Sequence, residues 1–198
     1  MTCTIIALMG SRKKEGNTSL LLDHAVRGAE EGGCEVERIA FDHLDLEAAM
    51  ESVFAGGPLL DDGTRGLYKK FQDADGIILA SPVYTMGIPG KLKSLMDLFL
   101  SIVYSASADM ASLVPESKLG RRKGLFISLA GSSGCPTVFD GSVTTVTAFF
   151  ETLDFHYHDD LLVDDLDTIL DLHTRPELLK AAHDKGLALA KALKKQKR

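Results

Sequence analysis

The chain has 198 residues, 45% of them hydrophobic, and 22 Lys and Arg against 28 Asp and Glu leave a formal net charge of −6. That composition fits one globular domain over residues 1–198 with a sizeable core. It gives no general pull toward nucleic acid, contains no run of about 18 apolar residues to span a membrane, and begins without the basic flank and cleavage site of a secretory signal.

Strands alternate with helices along the chain. Residues 4–9 form a continuous apolar run bounded by Gly10, the pattern of a strand buried on both faces. Residues 18–31 place Leu21, Leu22, Ala25, Val26 and Ala29 at helical spacing, and Gly32-Gly33 stops the helix. Residues 35–41 alternate toward a second strand, more polar and nearer an edge. Residues 42–63 read as a loop, punctuated by Gly56-Gly57-Pro58 and Asp61-Asp62-Gly63, and residues 64–73 as a short helix. Residues 76–80 are a third buried strand, ended by Ser81-Pro82. A helix follows over residues 89–104, then a Ser- and Ala-rich surface excursion over 105–120. Residues 124–130 predict a fourth strand, 137–153 a helix, 155–163 a fifth strand and 175–195 an amphipathic helix. Its basic end, Lys194-Lys195-Gln196-Lys197-Arg198, reads as a solvated tail.

Five strands with intervening helices predict an α/β fold, a parallel sheet covered on both faces. In such sheets ligands sit beyond the carboxyl ends of the strands. Three loops meet that description. The first, residues 10–19, joins a buried strand to a helix N-terminus, where unpaired N–H groups and the helix dipole favour an anion. Ser11, Asn17, Thr18 and Ser19 add side-chain donors suited to a phosphate. The loop is not a Walker P-loop: five residues separate Gly10 from Gly16, and Asn17 stands where the Lys belongs. Without that Lys, a phosphate there is held rather than transferred. No GxGxxG occurs either.

The second loop, residues 81–90, is stiffened by Pro and Gly. Its peptides from Pro82 to Thr85 can edge a planar ring, with Tyr84 and Met86 as stacking surfaces. The third, residues 130–136, presents small residues from Gly131 to Gly134 that let backbone amides reach a ligand. Cys135 in this loop reads as a small packed residue, since no His or Asp partner stands near it in sequence.

The three cysteines, Cys3, Cys34 and Cys135, are odd in number, distant in sequence and without a CxxC pair, so no disulfide is expected and the compartment is read as the cytoplasm. His156 and His158 share a strand face, but the carboxylates that follow lack site-like spacing, so this stretch reads as a solvated acidic strand end. The helix after the second loop is apolar all round, with Leu95, Met96, Leu98, Phe99, Leu100, Ile102 and Val103. That predicts burial on more than one side, one against the sheet and another against the partner of a homodimer.

Three stretches together carry a resemblance: Gly10-Ser11 through Gly16-Asn17-Thr18, then residues 74–84, ending Ser81-Pro82-Val83-Tyr84, then residues 90–97, Gly-Lys-Leu-Lys-Ser-Leu-Met-Asp. They resemble the flavodoxin-like NAD(P)H-dependent FMN reductase family over about the first two thirds of the chain. The resemblance implies a doubly wound five-stranded sheet of order 2-1-3-4-5 with bound FMN and NAD(P)H as electron donor. It implies that Ser11, Arg12, Asn17, Thr18 and Ser19 hold the FMN phosphate. Pro82, Val83, Tyr84 and Thr85 would line the ring, and Gly131, Ser132, Ser133 and Gly134 its other edge. The cofactor carries the redox chemistry, so no dedicated catalytic acid or base is assigned.

Two departures matter. Relatives called iron–sulfur flavoproteins carry a cysteine cluster after the second strand, where residues 46–57 of this chain hold no cysteine and Ala49, Ser52 and Ala55 stand at the ligand spacing. The family's frequent Asp-Arg is Asp97-Leu98 here. The implied function is an oxidoreductase passing electrons from NAD(P)H through FMN to a small acceptor such as a quinone or free flavin. A flavodoxin-type electron carrier and a non-catalytic flavin-binding module are the alternatives.

Overall fold

The computed structural model of the chain describes residues 2–13, 15–54, 62–105 and 120–196. Five strands, β1 (Cys3–Met9), β2 (Cys34–Ile39), β3 (Gly76–Pro82), β4 (Arg122–Leu129) and β5 (Phe155–Val163), form one sheet in the order β2-β1-β3-β4-β5. All four pairings are parallel. The helices are α1 (Asn17–Glu31), α2 (Leu46–Phe54), α3 (Asp62–Asp73), α4 (Gly90–Ser105), α5 (Asp140–Thr152) and α6 (Pro176–Gln196). This is the flavodoxin-like order that the resemblance implied.

The apolar runs form strands because both their faces are covered. Alternate residues go to opposite cores. Ile6, Leu8, Ile77, Leu79 and Phe126 join Phe71, Phe99 and Phe150 from α3, α4 and α5. Ile5, Ala7, Ile78, Ala80, Leu125 and Ile127 join Leu21 and Ala25 of α1 and Leu189 and Ala190 of α6. On that second side α1 and α6 cross with their backbones in contact. A Cβ on Gly28 would lie 2.0 Å from the His183 carbonyl oxygen, and one on Gly186 only 1.9 Å from that of Ala25. Only glycine permits this approach.

Four features differ from the sequence reading. First, residues 46–54, expected as loop, form α2, whose Leu46, Ala49 and Met50 belong to the core that α4 faces. The Met50 sulfur lies 3.7 Å from Ser101 Oγ of α4. The second apolar side of α4 is therefore covered from within the chain, and the pattern that predicted a partner subunit is satisfied in part by α2.

Second, Cys3 and Cys34 stand opposite each other in the β1–β2 register and are joined as a disulfide, with Cα atoms 4.6 Å apart. The expectation of no disulfide is corrected. Register, not sequence spacing, decides which residues of parallel strands meet. With it goes the argument from cysteine usage for a reducing compartment.

Third, the β4–β5 register jumps from Gly124↔Tyr157 to Leu125↔Asp159, so His158 is the extra residue of a bulge and strict alternation with His156 is broken. Both side chains are exposed. Among the described residues, no group of three or more His, Cys, Asp or Glu could hold a metal ion.

Fourth, residues 164–174, between β5 and α6, contain a single helical turn (Leu166–Ile169) and a 3₁₀ turn (Leu172–Thr174) that no sequence pattern announced. The excursion expected over 105–120 lies, but for its ends, outside the described residues, as do Gly56, Gly57 and Pro58. No helix among the described residues is long and apolar enough to cross a membrane.

The amino end of the sheet is closed by Arg122, the first residue of β4 and fully buried. Its guanidinium donates to the carbonyls of Ala74 (3.0 Å), Leu153 (2.6 Å) and Phe71, and lies 3.8 Å from the centre of the Phe155 ring. The last turns of α3 and α5 leave unpaired carbonyls, and this one side chain serves both. Burial pushes its pKa down to about 10, opposed by Asp154 and Asp75, so it stays charged at neutral pH. Arg122→Met would strand three buried carbonyls. A loss of about 4 kcal/mol in urea unfolding is expected, and a loss under about 1 kcal/mol would show that the latch is dispensable.

Candidate functional site

The strand register sets the site. Met9 pairs with Ala80, and Pro82, Leu129 and Val163 form one row, so β1, β3, β4 and β5 end along a common rim. The loops leaving that rim are bonded to their neighbours. The Gly10 N–H donates to the Ala80 carbonyl (2.7 Å), Val83 N–H to Leu129 (2.7 Å) and Ala130 N–H to Val163 (2.8 Å). The three sequence-selected loops thus start from fixed points, side by side.

In the first loop, α1 begins at Asn17 with no side chain capping it and no acidic residue in its first turn. The first backbone bond of the helix is Leu20 N–H to the Gly16 carbonyl, 2.9 Å. The amides of Asn17, Thr18 and Ser19 therefore remain at the helix end, where the dipole favours an anion. Ser11 Oγ accepts from Lys13 N–H (3.1 Å) and rounds the loop. Arg12 is exposed, Ser19 half-buried and Thr18 buried. Asn17 departs from expectation. Its Nδ2 donates to the Leu170 carbonyl (3.1 Å), and its Oδ1 accepts from Leu172 N–H (3.2 Å). Its side chain is engaged with the segment after β5, which leaves its backbone N–H as its donor toward an anion.

The second loop is a tight turn closed by reciprocal bonds between Tyr84 and Gly87, 2.8 and 3.0 Å. Its central residues, Thr85 (φ 50°) and Met86 (φ 62°), are both left-handed. That turn favours Asn and Gly, and a β-branched Thr there costs on the order of 1–3 kcal/mol. The strain displays Tyr84 and Met86, which are 58% and 45% exposed. It also limits the donors. Pro82 has no N–H, and those of Val83 and Tyr84 are engaged. Thr85 is the first residue of the 82–85 stretch whose amide has no partner among the described residues.

The third loop keeps its donors. The amides of Gly131, Ser132, Ser133 and Gly134 have no partner among the described residues, and Ser132 and Ser133 are exposed. Cys135 Sγ lies 3.7 Å from Thr137 Oγ1. The segment after β5 packs on this loop, with Leu166 N–H donating to the Ala130 carbonyl (3.2 Å) and Asp167 N–H to that of Gly131 (2.9 Å). A Cβ on Gly131 would lie 2.6 Å from the Asp167 carboxylate. Sequence reading missed this segment because Asp164, Asp165, Asp167 and Asp171 look like a solvated acidic run.

Three cavities border the first loop. One of about 240 Å³ gathers Ser11, Arg12, Phe41, Tyr84 and Lys91. A second, of about 380 Å³, gathers Gly16, Asn17, Ser19, Asp171 and His173. A third, of about 220 Å³, brings Ser11 and Ser19 together beside Met9 and Phe41. Thr18, Pro82, Val83, Thr85 and residues 131–134 line none of the three.

The profile of the NADPH-dependent FMN reductase family matches residues 3–143. The chain belongs to this family. It is 38% identical over 97 residues to an iron–sulfur flavoprotein of Methanocaldococcus jannaschii, covering 47% of this chain and 50% of that protein. It is 30% identical over 98 residues to one of Archaeoglobus fulgidus, covering 48% and 44%. The chain thus spans about half the length of the curated relatives it matches. Among solved structures, a flavone reductase superposes with a TM-score of 0.70 at 21% identity, covering 98% of this chain and 64% of that one. The NAD(P)H:quinone oxidoreductase of Methanothermobacter marburgensis gives 0.67 at 16% identity, covering 96% of each. These likenesses establish the fold.

The cysteines of this chain do not fit a cluster of the kind named in those relatives. Such clusters take four thiolates or their equivalent. Cys3 and Cys34 are buried and joined to each other at the amino ends of their strands, while Cys135 sits beyond the opposite rim.

The second loop is held from behind by α5, where a Cβ on Gly141 would lie 2.3 Å from the Met86 carbonyl oxygen. Gly→Ala inside a helix ordinarily stabilises by about 0.5–1 kcal/mol. Here the sign reverses: Gly141→Ala is expected to lower stability in urea titration by about 2 kcal/mol and to displace the 84–87 turn. A stabilised variant would show that this turn does not need α5 for support.

Proposed function

We propose that the chain is an FMN-dependent NAD(P)H oxidoreductase that passes electrons to a small acceptor such as a quinone or free flavin. The observation that carries this reading is the uncapped amino end of α1, set on the rim beside two loops, in a chain of the FMN reductase family. The amides of Asn17, Thr18 and Ser19 suit a phosphate monoester, with hydroxyls from Ser11, Thr18 and Ser19 and charge from Arg12. Asn17 contributes its backbone there rather than its engaged carboxamide.

For the ring, Pro82, Val83 and Tyr84 supply apolar edges and carbonyls. Hydrogen-bond donors come from Thr85 and from residues 131–134, whose amides are open. FMN held there would supply the redox chemistry between NAD(P)H and the acceptor. The protein would orient the flat head and hold the anionic tail, with Tyr84 and Met86 as exposed surfaces on which a planar ring could stack. Open amides near the ring favour negative charge as it develops. Reduced nicotinamide as donor fits work in the cytoplasm.

FMN-loaded protein mixed anaerobically with NADH or NADPH should lose its visible flavin band promptly and regain it when a quinone is added. Bleaching that waits for a separate reductase would favour a flavodoxin-type carrier. A protein that takes up no FMN would overturn the reading.

We also propose a homodimer, on narrower ground than the sequence offered. Because α2 covers one side of α4, the support left is Leu100, exposed on that helix, together with Tyr84 and Met86 on the rim. Sedimentation at micromolar concentration should show a dimer, and a monomer there removes the proposal.

A further inference from the structure

We infer that Asn17 is a positioning residue: its carboxamide clasps the segment after β5 to the start of α1, and through that segment fixes the 131–134 loop relative to the phosphate-binding turn. The inference rests on the FMN reading above and deepens it.

The clasp has two bonds, from Asn17 Nδ2 to the Leu170 carbonyl (3.1 Å) and from Leu172 N–H to Asn17 Oδ1 (3.2 Å). A carboxamide is the side-chain group of this size that donates and accepts side by side, as a peptide does. Asp at this position would only accept, and Ser is too short to reach both groups. The clasped segment is the one bonded to the third loop, through Leu166 N–H to Ala130 and Asp167 N–H to Gly131. Asn17 therefore reaches the ring side of the site through five residues of a neighbouring connection, with no bond to the third loop itself.

The backbone of that connection is not relaxed. Asp165 (φ 62°) and Leu170 (φ 58°) are left-handed, and Leu170 is 76% exposed. A bulky apolar residue does not adopt that conformation unaided, and no packing of its own side chain holds it there. What holds Leu170 is its carbonyl, bonded to Asn17, and its N–H, which donates to the Leu166 carbonyl at 2.9 Å.

The test separates a clasp from a direct phosphate contact by comparing FMN with riboflavin, which lacks the phosphate. In Asn17→Ala, both flavins should bind about tenfold more weakly and by similar factors, as expected for two lost hydrogen bonds. The visible spectrum of bound flavin should shift, because the third loop lies at the ring. Asn17→Asp keeps the acceptor for Leu172 N–H, so its riboflavin affinity should fall between wild type and N17A. Weakened FMN with unchanged riboflavin would overturn the clasp and make the carboxamide a phosphate ligand. Hydrogen exchange supplies a flavin-free readout: N17A should speed exchange over 166–172 and also over 130–134. A change confined to the residues around Asn17 would overturn the inference. A wild-type protein that binds neither flavin sinks the functional reading, and the exchange data then decide the clasp alone.

Discussion

A parallel sheet with helices on both faces commits its side chains to two cores. Every residue of β3 from Gly76 to Ser81 is buried, and its neighbours β1 and β4 are nearly so. Little of the sheet's faces is left for a ligand. What remains is the rim where β1, β3, β4 and β5 end together, and the backbone groups of the loops leaving it. The chemistry available to this molecule follows from that constraint. It is chemistry of amides, hydroxyls and a helix end, well matched to a cofactor that brings its own reactivity.

The two ends of the sheet are built on different physics. At the amino end, a buried guanidinium answers three carbonyls and rests on an aromatic ring, so polar groups are paired and closed off from water. At the carboxyl end, amides are left open and the backbone is strained. Among the described residues, four of the five non-glycine residues with left-handed backbone, Thr85, Met86, Asp165 and Leu170, lie in loops beyond that rim, and Asp154 lies elsewhere. Strain of this kind persists where the surroundings impose it, and here it surrounds the candidate site.

The strands and the three loops were legible in the sequence because buried parallel strands read as unbroken apolar runs and the loops between them as small polar residues, while the sheet order came from the resemblance to the family. The hidden features depend on who meets whom. The apolar spacing of Leu46, Ala49 and Met50 was present, but the glycines and acidic residues after it masked a nine-residue helix. The contact of Cys3 with Cys34 is a matter of register between strands 31 residues apart. That Val83 and Tyr84 have no amide to offer follows from a turn whose left-handed residues are Thr and Met, types that do not announce it. Asn17 was read as a side-chain donor toward a phosphate, yet its carboxamide reaches a backbone more than 150 positions away.

The crossing of α1 and α6 at Gly28 and Gly186 has a consequence in time rather than in space. α1 is made well before residues 176–196, the surface it is pressed against, and so emerges without the helix that covers it. The approach of Gly28 to the His183 carbonyl becomes available only once both helices exist, and until then the apolar face of α1 with Leu21 and Ala25 lacks Leu189 and Ala190.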